Sequence, residues 1–443
     1  MSPRRHSLPA GLFDRLAAGG GGPAAVRALA AAEHSKRLVL LRAVVDTAAA
    51  AGHPGARRAA DAYALLARLQ RTVPAAVRDA VTYPAVGFWA LRVLRGLMLG
   101  DPRADPAQLA AVAAVAAVRG RVPLRVGVPV TRGRVTLPSL GVALLPGAPE
   151  AWAVVRPDGR GGAVVTAAGR AVTVPRDPHT EAGAWLGLRR LSAGTAEAAV
   201  TFLLDDTDPL RFPPHPRVGP RLSPGEVAAW QAVIGRGWAL LGRAHRGVAG
   251  EVAAGLRVLV PLQAPPDGVA SATSAEAFGC VAMSRPPRPL DLARGLAHEV
   301  QHAKLAALGT MFPLIAGPGG ERFYAPWRED PRPAEGLLQG AYAHLGIARF
   351  LRRQWDADSD PAARLEAQTE FARWREATWD VAHVLLGGGL LTGHGERFVT
   401  GMVASLAELR AEDVPRAAVG RAGRLAEEHL TRWLNRARIG VSR

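Results

Sequence analysis

His298, Glu299 and His302 lie in the run His298-Glu299-Val300-Gln301-His302, in a helical stretch from Leu290 to Leu308. Four residues of α-helix put both imidazoles on one face, about 5–6 Å apart at Cβ, a separation suited to two ligands of one metal ion. Glu299 stands on the adjoining face, where it can reach a metal-bound water as a general base or orient the groups that hold the metal. Two histidines plus a third donor describe a zinc hydrolase and a non-heme iron oxygenase equally well. A longer metzincin-type pattern would need Gly and His soon after His302, and Leu305 and Leu308 stand there instead. The candidates for a third ligand downstream are Glu335, Gln339 and His344. By chemistry alone Glu335 is the best of them, although a glutamate opening a helix ordinarily serves the helix dipole.

The helix carrying this motif has its own apolar stripe, Leu292, Leu296, Val300, Leu305 and Leu308, so it is expected to be buried. Residues 1–120 read as helical, with apolar residues three and four apart after the glycine run Gly19–Gly22, which must form a loop. Residues 121–222 are β-rich: short valine-rich runs such as Gly141–Leu145, Ala151–Val155, Ala163–Val165 and Ala198–Leu204 alternate with Gly and Pro. Residues 223–443 return to helix, opening on the capping box Ser223–Glu226. The fold class expected is α+β, predominantly helical, with a β-rich middle segment. Gly255–Leu262 and Gly279–Met283 read as two strands, and the segment Ser271–Met283 could present an edge strand to an extended peptide; an ordinary core strand is the plainer alternative. Asp205, Asp206 and Asp208 read as turn and capping residues in preference to cation ligands. His383, His394 and Glu396 flank a glycine loop and read as solvated; Cys280 reads as a small buried side chain.

Of the 443 residues 49% are hydrophobic and 21% charged, a globular composition. The formal net charge of +17 comes almost entirely from scattered arginine, since Lys36 and Lys304 are the only lysines. Without a basic run interleaved with aromatics, the charge argues against nucleic acid as a partner; an acidic peptide or a dicarboxylate co-substrate suits it. Cys280 is the one cysteine, which fits a reducing compartment. No stretch is long and apolar enough for a signal peptide or a membrane span, and a cytoplasmic protein is expected.

The block His298–Leu305, together with Tyr324-Ala325-Pro326-Trp327-Arg328, Asp330-Pro331-Arg332-Pro333 and Gly336–Tyr342, resembles the HExxH-type peptide-modification family. These proteins accompany ribosomally made, post-translationally modified peptides in actinomycetes. The likeness is strongest over residues 271–350 and weaker over the N-terminal helices, around Glu33, Ser35 and Leu40-Leu41-Arg42. It implies an enzyme that hydroxylates a precursor peptide at a β-carbon with Fe(II) and 2-oxoglutarate. It also implies that Gln339, at a position where many relatives carry histidine, is the third ligand, with Glu335 or His344 as substitutes. A co-substrate carboxylate would need an arginine, for which Arg328 and Arg332 are the candidates, and Glu299 would then orient a ligand or water. Two other readings stand beside this one. One is a Zn(II) peptidase with Glu299 as general base; the other is a peptide-binding partner whose metal site has decayed.

Overall fold

The protein is described by a computed structural model covering residues 6–147, 152–195, 199–266, 268–317 and 320–441. Of the positions that open the expected strands, Ala151 and Ala198 lie outside the described residues. Six helices come first: α1 (Ala10–Ala17), α2 (Gly22–Ala50), α3 (Ala56–Thr72), α4 (Pro74–Val81), α5 (Pro84–Met98) and α6 (Leu109–Arg119). The strands follow: β1 (Val126–Pro129), β2 (Arg134–Leu137), β3 (Gly141–Leu144), β4 (Trp152–Pro157), β5 (Ala163–Ala167), β6 (Arg170–Val174), β7 (Trp185–Gly187), β8 (Arg189–Ala193) and β9 (Val200–Leu204). Next are α7 (Pro224–Ala244), α8 (Arg246–Gly255), β10 (Val258–Leu262), β11 (Ser271–Ala272) and β12 (Cys280–Ser284). Helices α9 (Pro289–Met311), α10 (Ala334–Ala357), α11 (Pro361–Gly387), α12 (Gly393–Arg410) and α13 (Arg416–Val441) complete the order. The fold is α+β and predominantly helical, as expected.

The β-rich middle does not close on itself. Strands β1-β4-β5-β6 and β2-β3-β7 form two antiparallel sheets whose apolar faces share a core with α3 and α6. Strands β8 and β9 instead join a sheet ordered β11-β12-β10-β9-β8, pairing parallel with β10 through Leu203 and Leu204. β10 and β12 also run parallel, and every residue in both is buried, the pattern of strands covered on both faces. β11 is the edge of this sheet, antiparallel to β12. The strand expected over Gly279–Met283 is β12, an interior strand, and the edge in the segment Ser271–Met283 is the two-residue β11.

β12 leads through a four-residue loop into α9. Pro289 opens that helix, where its missing N–H costs nothing, and Asp291 in the first turn accepts from Arg288 at 2.8 and 2.9 Å. The first half of α9 packs Leu292, Leu296 and Val300 into the core beneath the five-stranded sheet. Its second half packs Leu305 and Leu308 into a core built from α1, α10 and α12. The HExxH motif lies where the two cores meet.

A helix buried this far must satisfy its polar side chains internally. Lys304, 1% exposed, donates to Glu251 of α8 at 2.7 Å and to the carbonyl of Gly20 at 2.9 Å. Gln301 donates to the carbonyl of Gly19 at 2.9 Å. Gly19 (φ +81°) and Gly21 (φ +107°) turn this loop in the left-handed region, so its carbonyls face α9. The glycine run is a loop, as expected, and it is also the acceptor that fixes the roll of the motif helix. Removing one partner of a buried ion pair leaves an uncompensated charge. Lys304→Met is therefore expected to lower the unfolding free energy by about 3–5 kcal/mol in urea titration. Adding Glu251→Leu should recover much of that loss; a single-variant cost near zero would contradict the anchoring role.

Candidate metal centre

His298 and His302 face each other: their Nε2 atoms are 3.0 Å apart and their rings meet edge to face, with centroids at 4.6 Å. The Nδ1–H of His302 donates to Oε1 of Gln339 at 3.1 Å. Gln339 thus meets the outer nitrogen of this imidazole and leaves Nε2 to the site. The third histidine, His344, lies one and a half turns further along α10. Its Nδ1–H donates to the carbonyl of Gly340 at 2.8 Å, and its ring centroid is 5.4 Å from that of His298. A hydrogen bond from Nδ1–H fixes the tautomer in which Nε2 carries the lone pair, which is how proteins present imidazole to a metal. Among the described residues, no three His, Cys, Asp or Glu side chains already enclose one ion position. His298 and His302 form a converged pair, with His344 one ring contact away.

Burial works in the same direction as these tethers. Desolvation, reinforced by His302 and His344, pulls the pKa of His298 well below its ordinary value. Burial brings His344 down to about 4, against the opposing pull of the Gly340 carbonyl. Both rings are neutral at pH 7 and able to donate lone pairs.

The surroundings of His344 are aromatic. Trp327 stacks on it at 4.7 Å and 16°, and Trp374 of α11 closes the other side at 4.6 Å. Trp327 approaches so closely that a Cβ on Gly340 would lie 2.3 Å from its ring, so only glycine fits there. The block Tyr324–Arg328 thus contributes a wall through Trp327. Tyr324 itself packs against α13, its hydroxyl 2.8 Å from Nδ1 of His429.

Glu299 is 1% exposed and points towards the edge strand, where Oε1 accepts from the hydroxyl of Ser271 at 2.6 Å. Its other oxygen, Oε2, is buried without a hydrogen-bond partner. Burial raises its pKa, while His302, Ser271 and Thr273 pull it down. A cleft of about 630 Å³ opens onto the site, lined by His298, His344, Ser271, Arg294, Trp374 and Ile347 among others. Glu299 and Gln339 are not among its lining residues.

The structure brings together His298, His302, Glu299, Gln339 and His344 and keeps the remaining candidates elsewhere. Glu335 is exposed in the first turn of α10, the place of a helix-dipole residue. Arg328 and Arg332 both clasp Asp330 on an exposed loop, at 2.7 and 3.2 Å, and neither lines the cleft. Asp206 is held by Arg189 and Arg221, Asp205 receives the hydroxyl of Tyr83, and Asp208 caps the N–H of Leu210 at 2.8 Å. His383 is exposed and bonds its own helix at Trp379, and His394 packs on Phe13 and Phe312. Cys280 is buried in β12. Two wall residues, Trp374 and Arg294, went unread in the sequence. Arg294 had a signal, since it precedes His298 by one helical turn; Trp374 is 76 residues beyond His298 (374 − 298) and had none.

No protein-family profile and no curated protein sequence matches the chain. Among the described residues, no helix is long and apolar enough to cross a membrane.

The donor set fits a transition-metal ion: three imidazoles, two of them tethered through Nδ1, beside a buried carboxylate oxygen without a partner. Metal titration against a competing chelator separates the possible third donors. His298→Ala, His302→Ala and His344→Ala should each abolish tight binding. Gln339→Leu should weaken it about 10–100-fold, as loss of an imidazole's outer hydrogen bond does, and Glu335→Gln should leave it unchanged. Full binding by His344→Ala with none by Gln339→Leu would assign the third ligand to Gln339.

Proposed function

We propose that the protein is an Fe(II)- and 2-oxoglutarate-dependent oxygenase that hydroxylates a β-carbon in a ribosomally made precursor peptide. In this reading His298, His302 and His344 hold the iron. Gln339 orients His302, and His344, stacked on Trp327 and in tilted contact with Trp374, would turn towards the pair to complete the set. The observation that carries the oxidative reading is the placement of Glu299. A hydrolytic base needs its carboxylate free to take a proton from water; this one is buried, with one oxygen taken up by the hydroxyl of Ser271. The resemblance of the motif block to peptide-modifying oxygenases supplies the iron and the co-substrate.

Bound iron, with oxygen and the 2-oxo acid, supplies the oxidation: one oxygen atom goes to the peptide carbon, the other to succinate, and carbon dioxide leaves. The chain's residues do the positioning. Trp327 and Trp374 hold His344 in an apolar setting and keep water from that side. Ser271 ties Glu299 to β11, coupling the edge strand to the motif helix. The outer side of β11 is available for an extended peptide to add as a further antiparallel strand, with its side chain directed at the imidazoles.

A Zn(II) peptidase is the second reading, favoured by one observation: Oε2 of Glu299 is unpartnered and burial raises the carboxyl's pKa, as suits a base. Anaerobic loading with Fe(II), then addition of 2-oxoglutarate, oxygen and a candidate precursor peptide, separates the two by mass spectrometry. The expected outcome is a peptide heavier by one oxygen atom, with matching succinate. Glu299→Gln should cost less than about tenfold, whereas loss of a general base costs about 10²–10⁴-fold. Cleaved peptide without oxygen uptake would overturn the oxygenase reading.

A further inference from the structure

The charged groups lining the cleft pair off with one left over. Arg288 and Asp291 make a two-pronged ion pair that uses both carboxylate oxygens, at 2.9 and 2.8 Å. On the opposite wall Glu370 accepts from Nε1 of Trp374 at 2.8 Å and lies 4.0 Å from Arg373, which stacks on the same indole. Arg294 remains. Its nearest acid is Asp291, already engaged, at 3.8 Å, and its guanidinium makes no hydrogen bond among the described residues. It is 41% exposed at the side chain and lines the cleft.

The position of this cation matters. Arg294 precedes His298 by one turn of α9, so the guanidinium and the imidazole share a helical face. The residue between them on the cleft wall is Gly295, which adds no side chain. A guanidinium presents a planar fork of N–H donors that matches a carboxylate in two bonds, and a cleft with walls of Trp374, Ile347 and Val269 strengthens such a pair relative to open water. Arg328 and Arg332 have their forks engaged by Asp330.

We infer that Arg294 forms a carboxylate-binding subsite of the cleft, one helical turn from the imidazole pair. Its ligand is a carboxylate whose other end reaches the imidazoles. Two sources share this chemistry: the far carboxylate of a small 2-oxo dicarboxylate, and an aspartate or glutamate side chain of the peptide. The first source rests on the oxygenase reading; the second does not.

Calorimetry on the anaerobic Fe(II)-loaded protein distinguishes them, with 2-oxoglutarate and 2-oxopentanoate as probes, the latter lacking only the far carboxylate. For the co-substrate source, the wild type binds 2-oxoglutarate more tightly than 2-oxopentanoate. Arg294→Gln removes that preference, a loss of about 10–100-fold from hydrogen bonds to a charged group. Arg294→Lys restores part of it, and Arg328→Gln leaves it intact. For the peptide source, Arg294→Gln weakens binding of the labelled precursor peptide by a similar factor, and a peptide with its acidic residues changed to amides loses the same factor on the wild type. If the wild type shows no 2-oxoglutarate affinity and releases no succinate, the oxygenase reading falls while the peptide measurement still judges Arg294. Unchanged affinity of Arg294→Gln for both 2-oxoglutarate and the peptide, or no binding of either of these two by the wild type, overturns the inference. Metal content and melting temperature equal to wild type confirm that the variant is folded.

Discussion

Helix α9 is enclosed by two apolar cores, yet it carries Glu299, Gln301, His302 and Lys304 within six residues. In such surroundings each polar group needs a partner, and leaving a charge without one costs several kcal/mol. The partners come from four places: the Gly19–Gly20 carbonyls, Glu251 of α8, Ser271 of β11 and Gln339 of α10. Together they fix the rotation of α9 about its axis. With that rotation set, His298 faces the cleft and His302 faces α10. Most of the chain outside the site can be understood as holding these four partners in place.

The two ends of this arrangement differ in kind. Lys304 and Gln301 meet fully buried acceptors and act on stability. His298 and His344 meet the cleft wall, their imidazoles kept neutral by burial, and His344 is directed by a bond at its far nitrogen. Trp327, admitted only because residue 340 is glycine, stacks on His344 and restricts its motion without immobilising the ring in its own plane. In the proposed site, His298 and His302 form the converged pair and His344 would be the third member.

The sequence disclosed local order well and long-range assembly poorly. The motif helix, its apolar stripe, the capping box at Ser223 and most helices and strands were legible because each rests on residues within one or two turns. α7 does begin with the reciprocal Ser223–Glu226 bonds. That helix ends at His245, whose ring stacks on Phe350 and bonds Gln354, partners a hundred residues away and invisible in the local sequence. β2, β7 and β8 were not read, since Thr, Arg and Trp alternate there without a continuous valine run. At the site, the pair His298–His302 was visible from spacing alone. The placements of Gln339 and His344 were not, because five residues separate them on α10 and only tertiary packing sets Gln339 against Nδ1 of His302 and the ring of His344 beside that of His298. Arg328 and Arg332 drew attention by lying between the ligand regions in sequence; Asp330, between them, already engages both.

X-ray absorption at the zinc edge of the Zn(II)-loaded protein counts imidazole ligands directly. If His298, His302 and His344 hold the metal, with Gln339 behind His302, the wild type will show three nitrogen-imidazole scatterers at about 2.0–2.1 Å, His344→Ala two, and Gln339→Leu three still. Two imidazoles plus a light oxygen donor in the wild type, with that oxygen lost in Gln339→Leu, would contradict this ligand set.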